Sequence, residues 1–209
     1  LEGRSKVVAD NINATFPSGR SVALLGRNGA GKSTLLQMIA GTVDPSAGQI
    51  FSTGSISWPV GFAGSFHPEL TGAQNARFVG RIYGVDTDEL IDYVEEFSGL
   101  GEHFRLPFRT YSSGMRSRLA CGVSMGIGFD TYLVDEITAV GDAAFKAKSD
   151  RIFKARMEHA GAVVVSHSMA QIRDLCDAAA VLENGQLTYY DDVDAAIAHH
   201  NRNMTGGAT

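Results

Sequence analysis

Gly26-Arg27-Asn28-Gly29-Ala30-Gly31-Lys32-Ser33, continued by Thr34, is the stretch whose reading decides the fold. It matches G-x-x-x-x-G-K-[ST]. Ser21-Val22-Ala23-Leu24-Leu25 before it reads as a short apolar strand. Thr34 to Ala40 after it reads as a helix, with Leu35, Met38 and Ile39 on one face and Gly41 as a stop. The spacing has a chemical reason. Gly26, Gly29 and Gly31 let the backbone curl so that successive N–H groups face a polyphosphate, and the helix adds its partly positive N-terminus. Lys32 suits the β and γ phosphates, and the Ser33 hydroxyl suits Mg²⁺. A chance match in a glycine-rich chain competes with this reading. Average residue usage makes that about one chain in a hundred of this length, and the strand–loop–helix setting lowers it further. The stretch reads as a nucleotide phosphate site.

Composition bounds the rest. A chain of 209 residues, 44% of them hydrophobic, can bury one sizeable core. Its net charge of −5, with 18 basic residues and none in a run of like charge, argues mildly against nucleic acid as the main partner. Cys121 and Cys176 are isolated in sequence and fit buried thiols in a reducing compartment. No apolar run is long enough to span a membrane. The chain opens on Leu1, so its natural start is expected upstream.

Outward from the loop, Lys6 to Phe16 alternates as an edge or hairpin strand and Pro17-Ser18-Gly19 turns it into the loop's own strand. Gln49-Ile50-Phe51 reads as a short strand and residues 52–68 as an irregular connection. From Leu70 to Gly128 the pattern is helical. One helix starts at Thr71-Gly72 and carries Phe78, Val79, Ile82 and Tyr83. A second starts at Asp88 with Leu90, Ile91, Val94 and Phe97 on one face, and a third runs from Met115 to Ser124. Strand–helix alternation resumes at Tyr132-Leu133-Val134, with a helix through Phe145 to His159. Ala162 to Val165 is the next strand and Met169 to Cys176 a helix. Asn184-Gly185 then turns a hairpin between Ala179–Leu182 and Leu187–Tyr190. The expected organisation is a single α/β domain: a core of residues 1–69 and 129–200, a helical insert at 70–128 and a disordered tail at 201–209.

The strand at Tyr132 ends in Asp135-Glu136. Asp135 is placed to hold Mg²⁺ and Glu136 to polarise an attacking water. Such a pair alone could be a solvated turn; beside the phosphate loop it becomes a candidate site. His167 leaves the end of another strand. By itself it would be a surface or capping histidine, and in this arrangement a γ-phosphate contact is favoured. Tyr111-Ser112-Ser113-Gly114-Met115 opens a helix, either as a second anion cradle or as an ordinary N-cap.

The order of phosphate loop, helical insert, Ser-x-Gly helix start, Asp-Glu strand and strand-end histidine resembles an ABC transporter ATPase subunit, from about Lys6 to His200. Pro68 to Asn75, Thr110 to Met115 and Asp135 to Lys146 are similar to the wording of the polysaccharide-exporting subgroup, closest to its capsule export members. The resemblance implies a P-loop NTPase (RecA-like) core with an inserted helical subdomain, using ATP and Mg²⁺. Residues 26–34 would form the phosphate loop, Ser33 and Asp135 the metal ligands, Glu136 the general base and His167 the γ-phosphate sensor. Ser112, Ser113 and Gly114 would act across a homodimer, and Asp142 would belong to the loop joining two sites. A separate integral membrane permease is implied, with the polysaccharide touched indirectly and the ATPase at the cytoplasmic face of the inner membrane. O-antigen or teichoic acid export is the near alternative. A soluble ABC protein acting on DNA or ribosomes is the distant one, without the second ATPase half, coiled-coil insert or basic surface it needs.

The chain departs from that family twice. Residues 1–15 hold no aromatic to stack on adenine, which implies weak ATP binding and poor discrimination against GTP for the chain as it stands. No glutamine lies between Gln49 and Gln74, where the family carries one that touches Mg²⁺ or water. The loop from Trp58 to Leu70 offers Phe62, Ser65, Phe66 and His67 instead. It reads chiefly as a docking surface for a permease helix, with Ser65 or His67 at most a water-mediated link to the site. Packing of both rings into the helical insert is the competing reading.

Overall fold

The computed structural model describes residues 7–61, 64, 66–135 and 142–205. They form two compact units, one of residues 7–59, 130–135 and 159–205, the other of residues 60–129 and 142–158.

The first unit is built on a six-stranded sheet. Its strands are β1 (Ser21–Leu25), β2 (Ile56–Pro59), β3 (Thr131–Asp135), β4 (Gly161–Val165), β5 (Ala178–Glu183) and β6 (Gln186–Tyr190). They lie in the order β2-β3-β4-β1-β5-β6, all parallel except the β5–β6 hairpin. Every residue of β1 and β4 is buried, as expected of central parallel strands covered on both faces. Helix α1 (Lys32–Ile39) places Leu35 and Leu36 on Val22, Leu24, Leu133, Val163 and Leu182.

Several expectations are corrected here. Residues 7–20 form no strand: Asn11 takes φ 51°, and the segment is clipped to the β5–β6 turn by Asp10 N–H donating to Gly185 O at 2.8 Å. Gln49 to Phe51 form no strand either, and Phe51 is 85% exposed. The stretch read as irregular contains β2. There Ser57 Oγ accepts the Leu133 N–H at 2.9 Å where the register slips, and the Asp130 carboxylate accepts from Ser55 N–H and O–H at 2.7 Å each. The tail read as disordered is helical as far as it is described, because α7 runs Val193–Thr205. It follows α6 (Met169–Leu175). Cys176 and Cys121 are free, and burial pushes their thiols up to about 12 and about 11.

The second unit is helical, and α5 belongs to it rather than to the sheet. Helix α2 (Gly72–Tyr83) starts with a capping box between Thr71 and Gln74, and α3 (Thr87–Ser98) is capped by Asp86. Helix α4 spans Ser113–Gly126 and α5 spans Ala143–Met157. The buried face of α3 is the expected one: Leu90, Ile91, Val94 and Phe97. That of α2 is not. Phe78 and Ile82 are exposed, and the helix buries Gly72, Asn75, Ala76, Val79 and Gly80. A Cβ at Gly80 would come within 2.9 Å of Leu90 Cδ2, so close approach of α3 selects the small face over the aromatic one. Helix α5 ties the bundle by covering helix ends: Lys148 donates to the carbonyls of Glu96 and Phe97, and Arg156 to that of Met125.

Phe66 corrects the docking expectation. It is buried at 7% exposure and meets Phe108 edge-on at 5.4 Å. The His67 ring is engaged locally, its Nδ1 accepting from Glu69 N–H at 3.2 Å. Phe62 and Ser65 lie outside the described residues.

Candidate functional site

The sheet puts its chemistry at one edge. The phosphate loop follows the carboxyl end of β1, Asp135 ends β3, and His167 lies two residues beyond β4. In the strand order β3-β4-β1 these are neighbouring ends, with Asp135 level with Val165 and Ala23 level with Val164. Open α/β sheets bind ligands outside such carboxyl ends, where the connections diverge to either side. The chain does diverge at β1, running first to β2 at one edge and later to β5 on the other side.

The loop has the shape the sequence implies. Gly31 is the N-cap of α1 in the left-handed region at φ 106°, and a Cβ there would run into the Val8 side chain. A Cβ on Gly26 would lie 2.5 Å from Leu182 O. Lys32 Nζ folds back over the loop and donates to Gly26 O at 2.7 Å and Arg27 O at 3.1 Å. Asn28, Gly29 and Ser33 are exposed, while Ala30 and Thr34 are half-buried. Helix α1 has no side-chain cap, so no side chain competes with an anion for its start. This cradle fits a polyphosphate. The exposed Ser33 hydroxyl and half-buried Asp135 carboxylate are oxygen donors of the kind Mg²⁺ takes.

A shallow cleft of about 170 Å³ beside the loop is lined by Val7, Arg27 to Ala30 and Leu182 to Gly185. Glu183 and the Asn184-Gly185 turn were not singled out as site residues from sequence. The Asn-Gly signal announced the turn, and nothing local said which strand end it would stand beside.

In the helical unit, Ser112 is the N-cap of α4, with Oγ accepting from Met115 N–H at 3.2 Å. Ser113 and Gly114 form the first turn, where Ser113 O accepts from Ser117 O–H at 3.1 Å. Asp142 caps α5 by accepting from Phe145 N–H at 2.9 Å and pairs with Arg118 at 2.9 Å. The capping hydrogen bond, ahead of the arginine, holds its carboxyl below the usual range. Glu136 lies outside the described residues.

Comparison with known proteins defines the class. Residues 9–139 match the family model described as ABC transporter. The chain belongs to the ABC transporter family and is an ATPase of that family. It is 50% identical over 198 residues to the polysialic acid transport ATP-binding protein KpsT of Escherichia coli, covering 93% of this chain and 88% of that one. It is 43% identical over 197 residues to the capsule polysaccharide export ATP-binding protein CtrD of Neisseria meningitidis serogroup B, covering 94% and 91%. Identity to the O-antigen export system ATP-binding protein RfbB of Klebsiella pneumoniae is 36% over 212 residues, covering 98% and 85%. An ATP-binding cassette solved as a post-hydrolysis dimer with ADP and Pi superposes with a TM-score of 0.74 at 20% identity, over 90% of this chain and 91% of that one. That likeness establishes the shared fold. Among the described residues no helix is long and apolar enough to cross a membrane.

Proposed function

We propose that this chain is the ATP-hydrolysing subunit that drives export of a capsular polysaccharide through a separate membrane permease, as a homodimer at the cytoplasmic face of the inner membrane. The observation that carries the polymer class is the ranking of relatives: 50% and 43% identity to capsule-type transport proteins against 36% to an O-antigen system. The observation that carries the chemistry is the uncapped α1 start beside the ends of β3 and β4.

In this reading, residues 26–34 hold the phosphates through backbone N–H groups and Lys32. Ser33 and Asp135 would hold Mg²⁺, which would supply positive charge to the phosphates. Glu136 takes the proton of the attacking water and His167 contacts the γ-phosphate. Ser112, Ser113 and Gly114 approach the partner's nucleotide with the start of α4, and Asp142 lies in the loop joining the two sites. Nucleic acid is no partner.

Glu136→Gln tests the reading. ATP binding should persist, turnover should fall by about two orders of magnitude or more, and the variant should accumulate as an ATP-bound dimer by light scattering. Wild-type turnover in the variant removes Glu136 from its role. Identification of the membrane protein that co-purifies with the chain tests the partner, and a DNA- or ribosome-bound complex overturns the transport reading.

A further inference from the structure

Arg27 joins the phosphate loop to the far end of the chain. Its Nη2 donates to the main-chain carbonyl of Asn203, and its Nε lies 3.6 Å from the Glu183 carboxylate. Asn203 is in the last turn of α7, where carbonyls have no partner within the helix and the helix dipole is negative. A guanidinium there is a helix cap supplied from the loop. The Arg27 main chain faces the loop itself, its carbonyl accepting from Lys32 Nζ at 3.1 Å and from Ala30 N–H at 3.0 Å. One residue therefore connects α7, the end of β5 and the lysine that would meet phosphate.

Around this junction, His200 of α7 lies in the field of Lys32, Arg27 and Glu183, its pKa lowered first by burial and then by Lys32. Arg27 Nε and Asn203 Nδ2 are buried without a hydrogen-bond partner.

We propose that Arg27 is a positioning residue that acts through α7, tying the loop to the last helical turn so that the carbonyls holding Lys32 stay in place for phosphate. The proposal rests on the reading of residues 26–34 as the ATP phosphate site. It adds α7 to the working parts of that site.

Calorimetric titration with ATP and Mg²⁺ tests it on Arg27→Ala, on R202G/N203G/M204G and on the combination. The glycines fray the last turn without adding charge, and the side chains they remove are exposed or half-buried. Losing a charge-assisted hydrogen bond should raise Kd about tenfold in either parent. The combination should be no weaker than either alone, and Arg27→Lys should recover part of the loss. Thermal unfolding without nucleotide, and Glu183→Gln as a milder break at the same junction, keep a folding defect from passing as support. Multiplying effects in the combination, unchanged affinity in the glycine variant, or unchanged affinity in Arg27→Ala each overturn the tether. Absence of ATP binding by the unaltered chain overturns the phosphate-site reading instead.

Discussion

Two helix starts in this chain both looked like anion cradles, and the structure builds them differently. At α4 the Ser112 hydroxyl satisfies a backbone N–H of the first turn. Helices α2, α3, α5 and α6 are likewise capped by Thr71, Asp86, Asp142 and Ser168. At α1 the cap position is Gly31, and no side chain accepts from the turn. A helix whose own sequence finishes it needs no ligand to be stable. One left without a side-chain cap, at the edge of a sheet where connections diverge, is completed from outside. The α1 loop is shaped by glycines, whereas the α4 start leans on an aromatic cluster. Phe66 meets Phe108, Phe108 meets Tyr111 at 5.4 Å, and the Arg116 guanidinium lies 5.2 Å from the Phe108 ring centre.

The contrast can be broken by substitution. Lys32→Ala should cut ATP hydrolysis about a hundredfold or more and leave the urea unfolding midpoint nearly unchanged, because its ammonium is bonded to loop carbonyls rather than packed in a core. A large loss of stability would make α1's start a structural device like the others. Phe66→Ala should cost about 3 kcal/mol of stability by hollowing the cluster beneath α4, read as a lower urea midpoint at unchanged m-value. A stable variant would return Phe66 to the surface role it was first given. Ser112→Ala should cost about 1 kcal/mol, a shift of a few degrees in Tm. Unchanged Tm with lost turnover would show that the hydroxyl matters for nucleotide rather than for the helix.

The smallest effect concerns pH. The folded pKa of His200 is below its ordinary value, so between the two values the unfolded chain binds the extra proton. Stability should therefore fall as pH drops below the usual histidine value of about 6.5 toward the lowered folded value. The facing groups are Lys32, Arg27, Glu183 and His199. His200→Gln should remove part of that slope in paired urea titrations, and an identical slope would mean the ring is not held neutral against α1.

What was legible in the sequence was whatever is decided locally. The phosphate loop, the α3 stripe closed by Gly99 and the Asn184-Gly185 turn each carry their reason within a dozen residues. What was not legible depends on a distant partner. The alternation of residues 7–16 shows the right period but finds no neighbouring strand; Asp10 is instead clipped to Gly185 and Gln186. Residues 201–205 have weak helical composition, and their last turn is held by Arg27 from the other end of the chain. Strand β2 contains a proline and is held by its own Ser57 side chain, which accepts a backbone N–H from β3. Burial of the glycine face of α2 follows from how near α3 comes, which periodicity cannot report.

The strand pairings also set an order in time. Strands β5 and β6 are joined by a two-residue turn, whereas β2–β3 and β3–β4, also consecutive in the chain, pair across connections that contain helices. The central strand β1 is made well before its partners, which are Ala162 to Val164 on one side and Ala178 to Val181 on the other. Until those segments leave the ribosome, an apolar strand with two open edges has nothing to pair with, and pairing over such separations is slow. The nascent chain therefore carries the apolar run Val22 to Leu25 without its sheet partners until residues 162–164 and 178–181 are made, and its yield in a cell depends on what shields that run in the interval.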